Sequence, residues 1–180
     1  PDVGGMTADD MVVVELSSFQ LMTMTLSPNV SVFTNLSPNH LDYHHTMEEY
    51  FAAKRKLFDR CDAAVLNIDD EHGRLLAAEV PCRTVTISDR DDTADYLAGN
   101  IRIRSDGSSF SVLHDGDLEK VSISTPGEFS IHNALGALAA VTELGVPMEQ
   151  AAKNLADCGG VPGRFEVLPN ALGFTAIRDF

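Results

Sequence analysis

Glu15, His40 and Lys54 are the residues of this sequence whose types and positions are best suited to chemistry. Glu15 directly follows a run of four apolar residues, 11–14, and is itself followed by two hydroxyl side chains and an amide. Because parallel sheets bind their ligands at the carboxyl ends of the strands, this acid is placed to contact a ligand or a metal. From its position alone, a cap on the following turn explains it equally well.

His40 and Asp42 lie in a polar loop, 35–45, that follows the second predicted strand. Loops of this composition are common on protein surfaces, but this loop should reach the same sheet edge as Glu15. One carboxylate and one imidazole suit Mg²⁺ or Mn²⁺, with water and phosphate completing the coordination. A closed structural Zn²⁺ site needs four nitrogen or sulfur ligands, and the sequence does not offer them.

Lys54 lies on a helix predicted over residues 47–60, which Thr46 and Glu49 begin with a capping box. The apolar positions of that helix are Met47, Tyr50, Phe51 and Phe58, and Lys54 falls within the stripe that they form. A lysine on the core-facing side costs free energy unless its amine is paired, neutralised or modified. The alternative is a lysine at the edge of the stripe whose amine reaches solvent.

The elements that must position these residues alternate between strand and helix. Strands are predicted at 11–14, 30–34, 63–67 and 84–87, with helices at 47–60 and 71–78. This alternation predicts an α/β fold with a mostly parallel, doubly wound sheet flanked by helices. The carboxyl ends of its strands should then carry the site.

The second half of the chain follows a different pattern. Alternating residues at 101–104, 109–113 and 120–123, separated by Asp-Gly turns, predict a small antiparallel meander. Helices are predicted at 130–144 and 148–157, and the stretch 159–163 reads as a linker to a further domain. His132 and Asn133 could point toward a site at the start of the first of these helices. Arg164, just past the linker, could contact a phosphate.

Composition limits the possible functions. The net charge of −14 over 180 residues argues against nucleic-acid binding, which needs clustered Lys and Arg. Three widely spaced cysteines fit a reducing compartment better than a disulfide framework. The sequence contains no apolar run long enough to span a membrane, and we expect no signal peptide and a cytoplasmic location.

Taken together, these residues resemble the Mur ligases, which add amino acids to the UDP-muramoyl-peptide precursor of peptidoglycan. The resemblance covers most of the chain, through residues 33–44, 46–48, 52–54, 127–129, 133–135 and 161–166. It implies an ATP-dependent amide synthesis in which a substrate carboxylate becomes an acyl phosphate that an amino acid's amine then attacks. ATP and Mg²⁺ are the implied cofactors, and a UDP-N-acetylmuramoyl-peptide and an amino acid are the implied substrates.

The resemblance also implies roles for individual residues. Glu15 and His40 would hold Mg²⁺ between ATP and substrate. Lys54 would be a carbamylated lysine, whose carbamate anion binds a second metal. Ser17 would contact the muramoyl substrate.

A second group of residues is implied to contact the nucleotide. Asn133 and Arg164 would touch ATP, and Asp179 would approach its ribose or the cleft between domains. Ser130 stands where the family often has Asn, which weakens the adenine side of this assignment.

The resemblance implies a division of the chain into two parts. Residues 1–160 would be the central ATPase domain without its N-terminal phosphate loop, since the family's Gly-Lys-Thr motif is absent. Residues 161–180 would be the linker and the first strand of a C-terminal ligase domain. The chain starts at Pro1 without a methionine, and we expect it to be a piece of a longer enzyme that is inactive by itself.

Two ligase types compete within the family. Residues 15–21 are similar to the D-glutamate-adding enzyme, whereas residues 42–44, 51–54, 57–58 and 163–166 are more similar to the tripeptide synthetases. The balance favours a tripeptide synthetase. The remaining alternatives are a ligase like the folylpolyglutamate or cyanophycin synthetases and a non-catalytic scaffold domain.

Overall fold

A six-stranded mixed sheet forms the centre of the molecule. The computed structural model describes residues 3–169 and 173–179. The strands lie in chain order across the sheet: β1 (Val30–Phe33), β2 (Ala63–Asn67), β3 (Arg83–Ser88), β4 (Tyr96–Arg104), β5 (Gly107–His114) and β6 (Asp117–Ile123). Strands β1 to β4 are parallel, and β4 to β6 form the antiparallel meander. The predicted fold class is therefore confirmed.

Helices cover both faces of the sheet. They are α1 (Ser18–Thr23), α2 (Leu41–His44), α3 (Met47–Arg55), α4 (Glu71–Glu79), α5 (Glu128–Glu143) and α6 (Met148–Asp157), with short 3₁₀ turns at Val3–Gly5 and Lys56–Phe58. Side chains alternate along β2, so Val65 packs toward α5 while Leu66 packs toward α3 and α4. Both residues are fully buried, as expected for a strand covered on two sides.

Helix α3 begins as predicted but ends earlier. The Thr46 side chain accepts a hydrogen bond from the Glu49 amide at 3.2 Å, which fixes the first turn. The α-helix ends at Arg55, and the 3₁₀ turn Lys56–Phe58 continues the apolar stripe, so Phe58 is still buried. The predicted extent of 47–60 is therefore too long by a turn.

The strand predicted at residues 11–14 is absent from the described part of the chain. The segment has no regular secondary structure, and Val13 is 96% exposed. An apolar run forms a strand only where a neighbouring strand completes the hydrogen-bond ladder and other layers cover its faces. No strand or helix of the described residues does this for residues 11–14, and that is why the prediction is wrong.

The last residues form a separate two-stranded ribbon rather than a single strand. Strands β7 (Glu166–Leu168) and β8 (Ala176–Arg178) pair antiparallel, and the Arg178 guanidinium donates to Glu166 Oε2 at 2.6 and 3.0 Å. The predicted domain boundary at residue 160 falls in the loop before this ribbon. The assignment of 161–180 to a further domain stays a prediction, and residues 170–172 and 180 lie outside the described residues.

Two of the three cysteines meet although they are distant in sequence. The Cys61 and Cys82 sulfurs lie 2.8 Å apart as free thiols, and Cys158 is exposed. Burial is the main cause that raises the pKa of Cys61 to about 12. Among the described residues, no helix is long and apolar enough to cross a membrane.

Candidate active site

Four of the predicted site residues line one cavity. Glu15, Ser17, His40 and Lys54 surround a space of about 320 Å³. They come from the coil segment before α1, the start of α1, the loop after β1 and helix α3. Residues that are up to 39 positions apart in sequence are thus brought together, and their roles remain to be tested.

Lys54 projects from α3 into this cavity and is half-buried. Its Nζ lies 5.9 Å from the centre of the Tyr50 ring, one turn earlier on the helix. Burial lowers the pKa of Lys54, while the nearby negative charge of Glu15 opposes that shift. The amine therefore releases its proton more readily than an exposed lysine does.

His40 occupies a strained position at the start of α2. Its backbone is left-handed, with φ 54° and ψ 26°, and its amide donates a hydrogen bond to Asn39 Oδ1 at 2.8 Å. A left-handed conformation is uncommon for a residue other than glycine and is maintained only where the surroundings enforce it. The ring makes edge-to-face contacts with Phe19 and Tyr50, which direct the imidazole toward the cavity.

His44 holds the two sides of the cavity together, and this role was not predicted from the sequence. The ring is 4% exposed, stacks between Phe19 and Tyr50, and lies 2.8 Å from the Ser18 hydroxyl. It thus fixes α1 to α2 and α3. A histidine among aromatic residues in a polar loop was the only available signal, and it did not distinguish His44 from its neighbours.

Ser17 begins α1 with a capping box. Its hydroxyl lies 3.3 Å from the Gln20 amide, and the Gln20 side chain accepts from the Ser17 amide at 2.8 Å. The hydroxyl also donates to Gln20 Oε1 at 3.0 Å, so a substrate contact would compete with this local bond. Asp42, which the sequence placed near the metal, instead lines a different cavity beside Tyr43 and His45.

The other three predicted residues line a second, larger cavity. Asn133, Arg164 and Asp179 surround about 660 Å³ between the start of α5, the loop after α6 and the end of β8. Two aromatic rings at its wall, Phe129 and Phe165, lie 5.9 Å apart. An apolar wall with a few polar groups suits a planar, polar ligand such as a nucleobase.

The Asp179 and Ser130 side chains both form hydrogen bonds with the backbone in the wall of the second cavity. Asp179 Oδ1 accepts a hydrogen bond from the Phe165 amide at 3.3 Å. Ser130 is buried and donates to the Pro126 carbonyl at 2.9 Å, so its hydroxyl is used by the helix start. Asn133 is the polar side chain of this helix that lines the cavity without such a bond among the described residues.

Comparison with known proteins decides the family. Residues 5–141 match the family described as Mur ligase middle domain. The chain belongs to the Mur ligases. The resemblance stated from the sequence is therefore confirmed over most of the described chain.

Curated relatives of this Mur ligase chain are of the tripeptide-synthetase type. It is 36% identical over 180 residues to the UDP-N-acetylmuramoyl-L-alanyl-D-glutamate–2,6-diaminopimelate ligase of Clostridioides difficile (strain 630), covering 95% of this chain and 37% of the relative. The enzyme of the same name from Syntrophomonas wolfei is 39% identical over 182 residues, with 95% and 36% covered. The chain thus spans about a third of the length of these relatives.

Solved structures agree on the fold. A structure of a UDP-N-acetylmuramoyl-L-alanyl-D-glutamate–2,6-diaminopimelate ligase superposes with a TM-score of 0.76 at 28% identity, covering 86% of this chain and 34% of that one. The MurF ligase of Thermotoga maritima, solved in complex with ADP, superposes with a TM-score of 0.68 at 22% identity, covering 81% and 34%. The second likeness shows the fold alone.

Proposed function

We propose that this Mur ligase chain forms part of an ATP-dependent enzyme that joins an amino acid to a UDP-N-acetylmuramoyl-peptide through an acyl phosphate. The observation that carries the proposal is the meeting of Glu15, His40 and Lys54 in one cavity. The tripeptide-synthetase type is favoured because the two curated relatives above are diaminopimelate ligases.

Glu15 and His40 are proposed to hold Mg²⁺. Their donor set fits this ion, because a carboxylate and an imidazole at an open cavity leave several positions for water and phosphate oxygens. When bound there, Mg²⁺ would offset the negative charge that develops during phosphoryl transfer. The chain's own contribution is orientation: the strained backbone of His40 and its ring contacts hold the imidazole in place.

Lys54 is proposed to be carbamylated. Because burial lowers its pKa, a larger fraction of the amine is neutral, and only the neutral amine has a lone pair to attack CO₂. The nitrogen then loses a proton, and a carbamate anion replaces the cation. This change adds a negative, oxygen-rich ligand to a cavity that already holds a carboxylate and an imidazole.

The second cavity is proposed to take the adenine end of ATP. Its supporting features are the Phe129 and Phe165 rings, the Asn133 amide and the Arg164 guanidinium, all lining one space. Asp179 is proposed to approach the ribose. Ser17 is proposed to contact the muramoyl substrate, at the expense of its bond to Gln20.

The principal alternative is the D-glutamate-adding type, which residues 15–21 resemble. One assay separates the two. The full-length ligase is incubated with ATP and Mg²⁺ and offered either UDP-muramoyl-dipeptide with diaminopimelate or lysine, or UDP-muramoyl-alanine with D-glutamate. We expect phosphate release with the dipeptide pair only. Turnover with D-glutamate only would establish the alternative, and turnover with neither pair would overturn the peptidoglycan assignment.

We also propose that the 180-residue chain alone neither turns over nor binds ATP tightly, because it contains no Gly-rich phosphate loop. Isothermal titration calorimetry of the isolated chain with ATP and Mg²⁺ checks this. Micromolar affinity would contradict it.

A further inference from the structure

Asp69, Asp89 and His132 converge at the carboxyl edge of the sheet, away from both cavities described above. Asp69 follows β2, Asp89 follows β3, and His132 lies in the second turn of α5. Their side chains are 5%, 6% and 17% exposed. One potential ligand atom from each side chain lies within 4.8 Å of the other two.

The distances within this cluster are too long for good hydrogen bonds. His132 Nε2 lies 3.4 Å from Asp69 Oδ2 and 3.5 Å from Asp89 Oδ1, beyond the usual N–H···O range of about 2.7–3.2 Å. Within the described residues, Asp89 Oδ1 and His132 Nε2 are buried atoms without a hydrogen-bond partner, although Asp89 Oδ1 has an ion pair with Arg90. Buried polar atoms without a hydrogen bond are rare, and a bound ligand is one explanation for them.

The two distances from His132 Nε2 also fit a shared metal ion. Ligands about 2.1 Å from a tetrahedral Zn²⁺ ion lie about 3.4 Å from one another, because a tetrahedron's edge is about 1.6 times its centre-to-corner distance. An octahedral ion of similar bond length, such as Mg²⁺, would need edges of about 3.0 Å. Histidine nitrogen and aspartate oxygen are both ligands that Zn²⁺ accepts.

We propose that Asp69, Asp89 and His132 are the three protein ligands of a tetrahedral divalent-metal site of the Zn²⁺ class, with water as the fourth ligand. This site is independent of the proposed ligase function and of the Glu15 cavity.

The surroundings of Asp69 support its role as a ligand. Ser88 donates its hydroxyl to Oδ1 at 2.6 Å, and the Asp89 amide donates to Oδ2 at 2.9 Å. These hydrogen bonds hold the carboxylate in orientation, as outer hydrogen bonds do for metal ligands.

Arg90 is the competitor for this site. Its Nε lies 3.2 Å from Asp89 Oδ1, and its guanidinium also pairs with Glu128. The arginine side chain is 65% exposed, so it can leave Asp89 while keeping Glu128. Metal binding therefore has to displace one contact, and removing Arg90 should strengthen it.

The test is a titration of the full chain with Co²⁺, which substitutes for Zn²⁺ and gives a visible absorption band when tetrahedral. We expect one equivalent to bind and Zn²⁺ to displace it. His132→Ala should weaken binding by about a hundred-fold or more, since even outer-sphere changes cost about 10–100-fold. Asp89→Asn, which keeps the shape of the side chain, should weaken it in the same direction, and Arg90→Gln should tighten it.

His72→Ala is the matched control, because His72 also lies beside an aspartate, 3.8 Å from Asp70, but outside the cluster. It should leave cobalt binding unchanged. Far-UV circular dichroism confirms that each variant is folded. A tetrahedral band that survives in folded His132→Ala and Asp89→Asn, a band lost instead in Glu15→Gln, or no tetrahedral band in the wild type would overturn the proposal.

Discussion

Residues 11–14 and strand β2 are both apolar runs that predict a buried strand, yet one is exposed and the other is buried. Leu66 in β2 is fully buried between two layers of helices, whereas Val13 is 96% exposed. The difference lies in their neighbours: β2 pairs with β1 and β3, and the described residues place no strand beside 11–14. An apolar run therefore forms a buried strand only where neighbouring strands and helices pack against it.

The comparison also separates the three central site residues. Lys54 stands on α3, which packs against the sheet, and His40 lies at the start of α2, which packs on α3, while Glu15 ends the unsupported segment. The geometry of the proposed Mg²⁺ site at Glu15 and His40 consequently depends on contacts that connect this segment and α1 to the rest of the fold. Each prediction below tests one side of that contrast.

The largest effect is expected from removing a core side chain. Leu66→Ala should lower the free energy of unfolding by about 2–5 kcal/mol, because it loses buried apolar area and leaves a cavity. Val13→Ala should change it by no more than about 0.5 kcal/mol. Urea unfolding followed by circular dichroism measures both. Similar losses for the two variants would show that residues 11–14 are buried in solution.

The close packing of α4 against β2 at Gly73 should also make the protein sensitive to substitution there. A Cβ at Gly73 on α4 would lie 1.8 Å from the Asn67 carbonyl oxygen, so Gly73→Ala forces the helix away from β2. The expected cost is about 1–3 kcal/mol. Gly99→Ala is the control, since a Cβ there meets nothing within 4 Å. Equal midpoints in thermal unfolding for the two variants would contradict this packing.

The link between α1 and α2 can be measured by a double-mutant cycle. Ser18→Ala and His44→Phe each remove the 2.8 Å hydrogen bond and leave one buried polar partner unpaired, at a cost of about 1–3 kcal/mol. The double variant should cost less than the sum of the two. Strict additivity in urea unfolding would mean that this bond does not hold the segment.

The smallest change in the free energy of unfolding is expected at Lys54, where substitution should stabilise the protein rather than destabilise it. Its pKa is lower in the folded than in the unfolded chain, so the folded state binds fewer protons between those two values and stability rises with pH there. Lys54→Met removes this dependence. It should be at least as stable as the wild type near pH 7, and the difference should shrink as the pH approaches 10. Urea unfolding at both pH values checks the trend, and a wild-type advantage at pH 7 would contradict it.

Much of the fold could be predicted from the sequence, because the patterns that specify its helices, strands and turns lie within short segments. Strand β2 and helix α6 have the predicted bounds, Ala63–Asn67 and Met148–Asp157, and the Asp-Gly turns gave the meander. The position of Lys54 within an apolar stripe left two alternatives, a core-facing amine or one that reaches solvent, and its half-buried state lies between them. Helical periodicity and turn chemistry operate within a few residues, so one sequence suffices to see them.

The remaining features depend on contacts between distant residues. The stacking of His44 against Phe19, the approach of Cys61 to Cys82 and the meeting of Asp69 with His132 each require the sheet order and register. No local pattern encodes these distances. The exposure of residues 11–14 could not be predicted either, because it depends on whether another strand lies beside them, and the described residues place none there.

The central claim is that Lys54, held beside Glu15 and His40, acts as a carbamate in an ATP-dependent ligase. The most direct test measures the activity of the full-length enzyme in CO₂-depleted buffer, before and after bicarbonate is added, for wild type and Lys54→Ala. The account predicts that wild-type turnover falls without CO₂ and recovers with bicarbonate, while Lys54→Ala is inactive in both. A fully active Lys54→Ala enzyme, or wild-type activity independent of bicarbonate, would contradict it.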